Sequence, residues 1–273
     1  MRDVWSGFQR ALWRLRWALG LAYGSQAELA YRMMKLPELQ PKAGRFRFRW
    51  GGIEYVSASD LRGQFFEIFV ERHYAFRTAA KQPVIVDAGG NIGMSAIWFK
   101  QNYPESTLTV YEADPSLSAV LTRNLASANI FAVDVQNAAV WIKDGFVAFD
   151  NLGQDKGTVN PAGAIQVRAI DLALHLPERV DLLKMDVEGA EYAIVERLCV
   201  TGAIMRVQNV VAEFHVRRTD IDSVITTLGL LRQSGMQVTL TSALGPWLGT
   251  ADAASPFEIV GNNQVLMEVY AWR

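Results

Sequence analysis

From Val84 onward, short apolar runs alternate with stretches whose hydrophobic positions recur at helical spacing. PVIVDAGG is an apolar run closing on glycines, IGMSAIWFKQNY reads as a helix, and STLTVYEADP is a strand stopping at an acid and a proline. SLSAVLTRNLASAN is helical again, and IFAVDVQNAAV is a strand. Strands alternating with helices of about ten to fifteen residues predict a parallel sheet built from βαβ units. Downstream, VDLLKMDVEGAEYAIVERL runs from strand into helix, RVQNVVAEFHV is a strand, and DIDSVITTLGLLRQSG is a helix ending at Gly235. MQVTLTSAL and QVLMEVYAWR follow with only a turn-rich stretch between them, which predicts an antiparallel pair at the end of the sheet.

Two regions break this rhythm. Ahead of it, AELAYRMMKLPELQPKAG reads as a helix ending before Pro37, and RFRFRWGGIEYVS alternates around Gly51-Gly52 as a hairpin. Ser59 or Asp60 is the expected cap of an amphipathic helix through GQFFEIFVERHYAF. Residues 1–80 therefore read as a helical and β-hairpin extension, and residues 81–273 as an α/β domain. Within that domain, VWIKDGFVAFD predicts a hairpin about Asp144-Gly145, followed by the loop NLGQDKGTVNPAG and the strand AIQVRAI.

Composition narrows the function. Half the residues are hydrophobic, a fifth are charged, and the net charge is −1, so no global field recruits nucleic acid. The single cysteine, Cys199, permits no intrachain disulfide and no cysteine zinc site, which points to a reducing compartment such as the cytoplasm. The first 24 residues carry Arg2, Arg10, Arg14 and Arg16 among Trp5, Trp13 and Trp17. Their apolar run falls short of the roughly 18 residues of a spanning helix, and arginines interrupt it where a signal peptide would be apolar. Docking onto the domain, docking onto a second copy in a homodimer, and peripheral contact with a membrane surface stay open for this segment.

The chemistry is concentrated in VDAGGNIGMSA. Ligands of open α/β sheets bind beyond the carboxyl ends of the strands, where this strand, turn and helix start should lie. A dinucleotide would want GxGxxG for its pyrophosphate, but Ala88 stands where the first glycine belongs, and Asp87 would repel a phosphate. S-adenosylmethionine has no phosphate. Asp87 can favour its ammonium while turn amides receive its carboxylate, along the spacing Asp87-x-Gly89-x-Asn91-x-Gly93. Asn91 replaces a glycine with a residue that tolerates the left-handed region. Glu112 ends the second strand, 25 residues after Asp87, where a carboxylate accepts ribose hydroxyls. Asn137 or Ala138, after the third strand, falls near an adenine by topology.

VIVDAGGNIGMSA, VYEADP and LLKMDVEGAEYAIV, with VVAEFH following, resemble the FkbM-type methyltransferase family over roughly residues 60–215. Ala113 and Asp114 stand where a proline often follows the acid in relatives, while Glu112 itself is kept. The resemblance implies a Rossmann-like class I methyltransferase fold, with a mostly parallel seven-stranded sheet ending in an antiparallel hairpin. It also implies methyl transfer from S-adenosylmethionine, most often to a hydroxyl of a sugar or secondary metabolite; a glycolipid or other lipid-linked acceptor would in addition give the Arg/Trp-rich N-terminus a purpose.

A hydroxyl acceptor needs help losing its proton. Asp186 and Glu188 in KMDVEGAE, and Glu213 and His215 in VAEFH, each project to one side of an extended segment and converge if their strands are neighbours. Three readings compete for the cluster: Asp186 or His215 as general base, a Mg²⁺ or Ca²⁺ site, or a helix cap with Glu191 in the first turn. Lys184 either contacts substrate or forms a structural salt bridge. His73 and His175 read as packing or surface residues. Two rival functions remain, an NAD(P)-dependent oxidoreductase and a non-catalytic binding protein on a methyltransferase scaffold.

Overall fold

The computed structural model describes residue 33 and residues 42–151, 157–159, 163–217, 220–242 and 264–273. The readings made for residues 1–32, the loop after residue 151 and the stretch 243–263 lie outside these. Strands β1 (Gly44–Phe48) and β2 (Gly51–Tyr55) form the expected hairpin, with Phe46 opposite Ile53 and Phe48 opposite Gly51, so the turn is Arg49-Trp50. Helix α1 (Ala58–Gln64) is capped by Ser57, whose Oγ accepts the Asp60 amide at 3.3 Å, and not by Ser59 or Asp60. It continues as a π-helical turn over Phe65–Val70, a form that recurs at functional sites.

The alternating part follows as β3 (Val84–Ala88), α2 (Met94–Asn102), β4 (Thr107–Glu112), α3 (Pro115–Ser127) and β5 (Asp134–Asn137). Then come β6 (Ala139–Trp141), β7 (Gly145–Asn151), β8 (Gly157–Val159) and β9 (Ile165–Asp171). These four make a separate small sheet in the order β6-β9-β7-β8. The hairpin expected about Asp144-Gly145 does not form, because β9 lies between β6 and β7. Asp144 instead accepts the Asp171 amide at 2.8 Å and pairs with His175 at 2.9 Å, which ties the turn to the end of β9.

Helix α4 (Leu172–His175), β10 (Leu182–Met185), α5 (Glu191–Val200), β11 (Asn209–Arg217), α6 (Ile221–Gln233), β12 (Gln237–Ser242) and β13 (Gln264–Trp272) complete the chain. The main sheet has seven strands in the order β12-β13-β11-β10-β3-β4-β5. Pairings from β11 to β5 are parallel, and β13 is antiparallel to both β11 and β12, as the sequence pattern predicts. The order reverses between β3 and β10, and that switch point opens the ligand crevice.

One core cluster joins the hairpin to α1, α2 and α3, with Phe46, Phe48, Ile53, Met94, Ile97 and Leu121 packed together. The extension and the α/β domain are therefore distinct in sequence pattern but continuous in packing. Asn124 in α3 is fully buried and completes the join. Its amide bonds both backbone groups of Glu54, at 2.8 and 2.9 Å, and donates to the Ile92 carbonyl at 2.8 Å. No helix of the described residues is long and apolar enough to cross a membrane.

Candidate active site

The turn after β3 is built on backbone that few residues adopt. Gly89 and Gly93 both have φ of 90°, and Asn91 between them has φ of 48°. A Cβ on Gly89 would lie 1.8 Å from the Asp186 carbonyl oxygen, so only glycine lets this turn pass beneath the end of β10. The N–H groups of the turn are all occupied. Gly89 and Gly90 donate to the Tyr111 carbonyl, Gly93 donates to the Gly90 carbonyl, Asn91 to Glu112 Oε2 and Ile92 to Asn91 Oδ1. The sequence leads one to expect these amides to receive a ligand's carboxylate; the fold uses them internally. The amides of residues 89–93 therefore offer no free cradle for a pyrophosphate, which weighs against a dinucleotide at this turn.

Asp87 is fully buried below the turn rather than facing the cleft. Register places it opposite Lys184, whose Nζ lies 3.1 Å from Asp87 Oδ1 and donates to the Gly89 carbonyl at 2.5 Å. Ser95 Oγ donates to Asp87 Oδ2 at 2.5 Å, tying the start of α2 to the same carboxylate. Burial alone would lower the Lys184 pKa, but the charges of Asp87 and Asp186 reverse this and hold it above the ordinary range. Of the two sequence readings of Lys184, the salt bridge is the one formed.

Glu112 closes β4 beside the turn. Its two carboxylate oxygens accept the amides of Asn91 at 2.7 Å and Asp114 at 2.8 Å. Burial pushes its carboxyl up to about 7, against the pull of those donors. Glu112 lines a cleft of about 590 Å³ with Ala113, Leu117, Ala138, Val140 and Phe149, which give one end an apolar surface. Asn137 is exposed and does not line it; its Nδ2 donates to the carbonyls of Glu112 and Ala113, at 2.8 and 3.2 Å. It fixes the tips of β4 and β5, and Ala138 is the neighbour that reaches the cleft.

Asp186, Glu188, Glu213 and His215 come together because β10 and β11 are adjacent and parallel. His215 Nε2 lies 2.9 Å from Glu188 Oε2 and 3.6 Å from Glu213 Oε1, and its Nδ1 lies 3.6 Å from Glu191 Oε1. Burial disfavours the imidazolium, but Glu188 and Glu191 outweigh it and push the His215 pKa up to about 10. Glu188 itself has φ of 55°, a left-handed conformation that costs a β-carbon residue energy and that its site must hold in place. The expected cap is made by neither Asp186 nor Glu188. Fully buried Glu191 accepts the amides of Val187 at 3.0 Å and Gly189 at 2.9 Å, and so shapes the loop ahead of its own helix. One ligand atom from each of Asp186, Glu188 and His215 falls within 4.8 Å of the others, a spacing open to a metal ion.

A second cavity, of about 720 Å³, shares Gly89, Asn91, Asp186 and Glu188 with the first. Asp60 and Gln64 of α1, Glu67 of the π-helical turn and Tyr74 just beyond it wall the cavity, and Glu213 closes it from β11. Asp60, Glu67, Asp186, Glu188 and Glu213 line it together with Lys184, which already pairs with Asp87, while His215 sits behind Glu188 and Glu213 and is not among the described residues that line it. Burial holds the Glu67 carboxyl above its ordinary range, with His73 pulling the other way. His73 is not a loose packing residue: it pairs with Glu71 at 2.9 Å and with Glu268, clasping the end of the π-helical turn to β13. His175 pairs with Asp144 at the surface. Gln64, Glu67 and Tyr74 carry no local sequence signal for a place in this cavity, because only the π-helical turn brings this stretch over the strand ends.

The sequence profile of the Methyltransferase FkbM domain matches residues 87–237, from the buried acid of β3 to the first residue of β12. The chain belongs to this family. It is 29% identical over 161 residues to Methyltransferase 1 of Beauveria bassiana (strain ARSEF 2860), covering 48% of this chain and 65%, just under two thirds, of that protein. It is 28% identical over 186 residues to Methyltransferase sdnD of Sordaria araneosa, covering 53% of this chain and 72% of that one. Among solved structures it is similar to Methyltransferase FkbM from Methylobacillus flagellatus KT, with 12% identity and a TM-score of 0.47 over 93% of this chain and 60% of the other. It is also similar to the O-methyltransferase from Bacillus cereus in complex with SAH, with 12% identity and a TM-score of 0.44 over 90% and 91%.

Proposed function

We propose that the protein transfers a methyl group from S-adenosylmethionine to a hydroxyl oxygen of a sugar, glycolipid or secondary metabolite. The observation that carries this reading is the continuous cleft, apolar beside Glu112 at one end and carboxylate-lined at the other, joined at Gly89, Asn91, Asp186 and Glu188. The residues present fit the cofactor. Glu112 keeps lone pairs beyond those given to two amides and can accept ribose hydroxyls, while Leu117, Ala138 and Val140 suit an adenine. Glu188, which lines both cavities, meets its ammonium, the role that sequence alone gave to Asp87. When bound, the cofactor supplies a methyl group on a positively charged sulfur.

The chain's own work is to place the acceptor and take its proton. At a pKa near 10, His215 is already protonated at neutrality and acts as a cation bracing Glu188 and Glu213. The base role then passes to Asp186, which faces both halves of the cleft with only a long 3.9 Å approach from Lys184. The hydroxyl proton moves to the Asp186 carboxylate as the oxygen takes the methyl group. His215 Nε2 lies 2.9 Å from Glu188 Oε2, so two of the three groups spaced for a metal ion are already in contact, which favours the metal-free reading of this cluster. The acidic walls suit an acceptor end without negative charge.

The test is transfer of labelled methyl to a panel of neutral saccharides, glycolipids and hydroxylated metabolites. An alkali-stable labelled ether is expected, with Asp186→Asn at least about a hundredfold slower and S-adenosylhomocysteine affinity little changed. Full turnover in that variant would remove Asp186 as base. Cofactor retention with no transfer to any acceptor would favour a binding protein on the same scaffold.

A further inference from the structure

The outer face of the β1–β2 hairpin carries Arg45, Arg47 and Arg49, all exposed and alternating with buried Phe46 and Phe48. Arg45 and Arg47 share one face of β1, where same-face residues stand about 7 Å apart, and Arg49 follows at the first position of the turn, so the three succeed one another along the hairpin. Arg45 donates to Ser127 Oγ at 3.3 Å; Arg47 and Arg49 have no ion-pair partner among the described residues. The nearest hairpin acid, Glu54, is opposite Arg45 in register but is paired with Arg123 at 2.9 Å. Beside the row lies an open concavity of about 950 Å³, lined by the arginines, Trp50, Ser127 and Asn129, with no carboxylate among the described residues that line it. A protein of net charge −1 thus concentrates uncompensated positive charge on one small face.

We propose that this face docks on a phosphate-bearing, anionic lipid surface. Guanidinium groups bind phosphate through paired N–H donors, and basic residues near an anionic leaflet each add to the attraction. The arginines stand in line along a shallow face instead of converging on one point, which suits many headgroups better than one free phosphate. The chain ahead of the hairpin adds Arg2, Arg10, Arg14 and Arg16 among three tryptophans, a composition of the same kind. The hairpin also leads to the candidate site. Trp50 stacks on Phe48 at 4.4 Å and on Phe69 at 5.6 Å, and Phe69 belongs to the turn whose Glu67 walls the acceptor cavity. Docking here brings that wall to the membrane. The docking itself does not depend on the methyl-transfer reading.

The test is cosedimentation of the full chain with vesicles of phosphatidylcholine and phosphatidylglycerol in equal parts, against phosphatidylcholine alone. Binding is expected only with phosphatidylglycerol, lost at high salt, and weakened roughly twenty-fivefold in Arg47→Gln/Arg49→Gln at about fivefold per arginine. Arg47→Lys/Arg49→Lys keeps the charge and should keep most of the binding, so it decides the matter if the glutamine variant folds poorly. Affinity for S-adenosylhomocysteine should be the same in all three proteins. No phosphatidylglycerol-dependent binding overturns the proposal. So does equal binding by a folded glutamine variant, which would assign the contact to residues 1–24. Binding of inorganic phosphate, lost in the glutamine variant, without vesicle binding would make the face a free-phosphate site and also overturn it.

Discussion

Asp87 and Lys184 show how two residues 97 positions apart become one unit. Both are buried, and the pairing of β3 with β10 sets them opposite each other. Removing one partner of a buried pair leaves the other uncompensated, so Asp87→Ala should lower unfolding free energy by about 3 kcal/mol or more. Adding Lys184→Met should recover much of that loss in chemical denaturation; no recovery would mean the pair is not what the site rests on. The acid was legible in the sequence from its place before the glycines, but its partner was not, because register between distant strands has no local signal. Glu112 makes a second prediction. With a carboxyl raised to about 7, it ionises as pH rises through that value, and a carboxylate accepts hydroxyls better than a carboxylic acid. Affinity for S-adenosylhomocysteine should therefore rise from about pH 6 to about pH 8, and Glu112→Gln should flatten the rise and weaken binding throughout. An unaltered pH profile in the variant would place the titrating group elsewhere. The same shift makes folding less favourable as pH climbs from the ordinary carboxyl range to about 7, since the buried form prefers its proton.

At the scale of elements, the glycine turn and the loop after β10 hold each other in place. Gly89→Ala would drive a Cβ into the Asp186 carbonyl and strain a φ of 90°. A stability loss of about 2 kcal/mol or more is expected, together with loss of ligand binding; a variant with intact affinity would show that β3 and β10 tolerate separation. The two carboxylate-paired histidines, buried His215 and half-buried His73, act on a different axis. His73 and His215 are both raised to about 10, so their pairing stabilises the fold fully below their ordinary pKa and is lost as pH rises through 10. Stability should fall over that alkaline window, and His73→Gln and His215→Gln should each shallow the fall. The alternating strands, the first hairpin and the terminal antiparallel pair were legible because apolar periodicity reports which face is buried. The π-helical turn was not, since Phe65, Phe66, Ile68 and Val70 give the same apolar stripe as an α-helix. The Asp144-Gly145 turn misled because its two residues suit a hairpin, and only the insertion of β9 between β6 and β7 shows that they do not close one.

For the whole molecule, the sheet order puts a strand switch, a saturated glycine turn and two joined cavities at the carboxyl ends of the strands, while residues 42–74 share the core and wall the second cavity. Sequence gave the cluster of Asp186, Glu188, Glu213 and His215 but could not rank its members, because their order of basicity depends on which carboxylates surround the imidazole. Mg²⁺ should change neither ligand affinity nor turnover if Glu188 keeps its contact with His215; a metal-dependent gain would reassign the cluster. The central claim is that this crevice holds an adenosine cofactor without phosphates. It is tested most directly by calorimetric titration of the full chain with S-adenosylhomocysteine and, separately, with NADH. One equivalent of S-adenosylhomocysteine should bind with a Kd on the order of micromolar, with no heat from NADH. Binding of NADH, or no binding of S-adenosylhomocysteine, would contradict it.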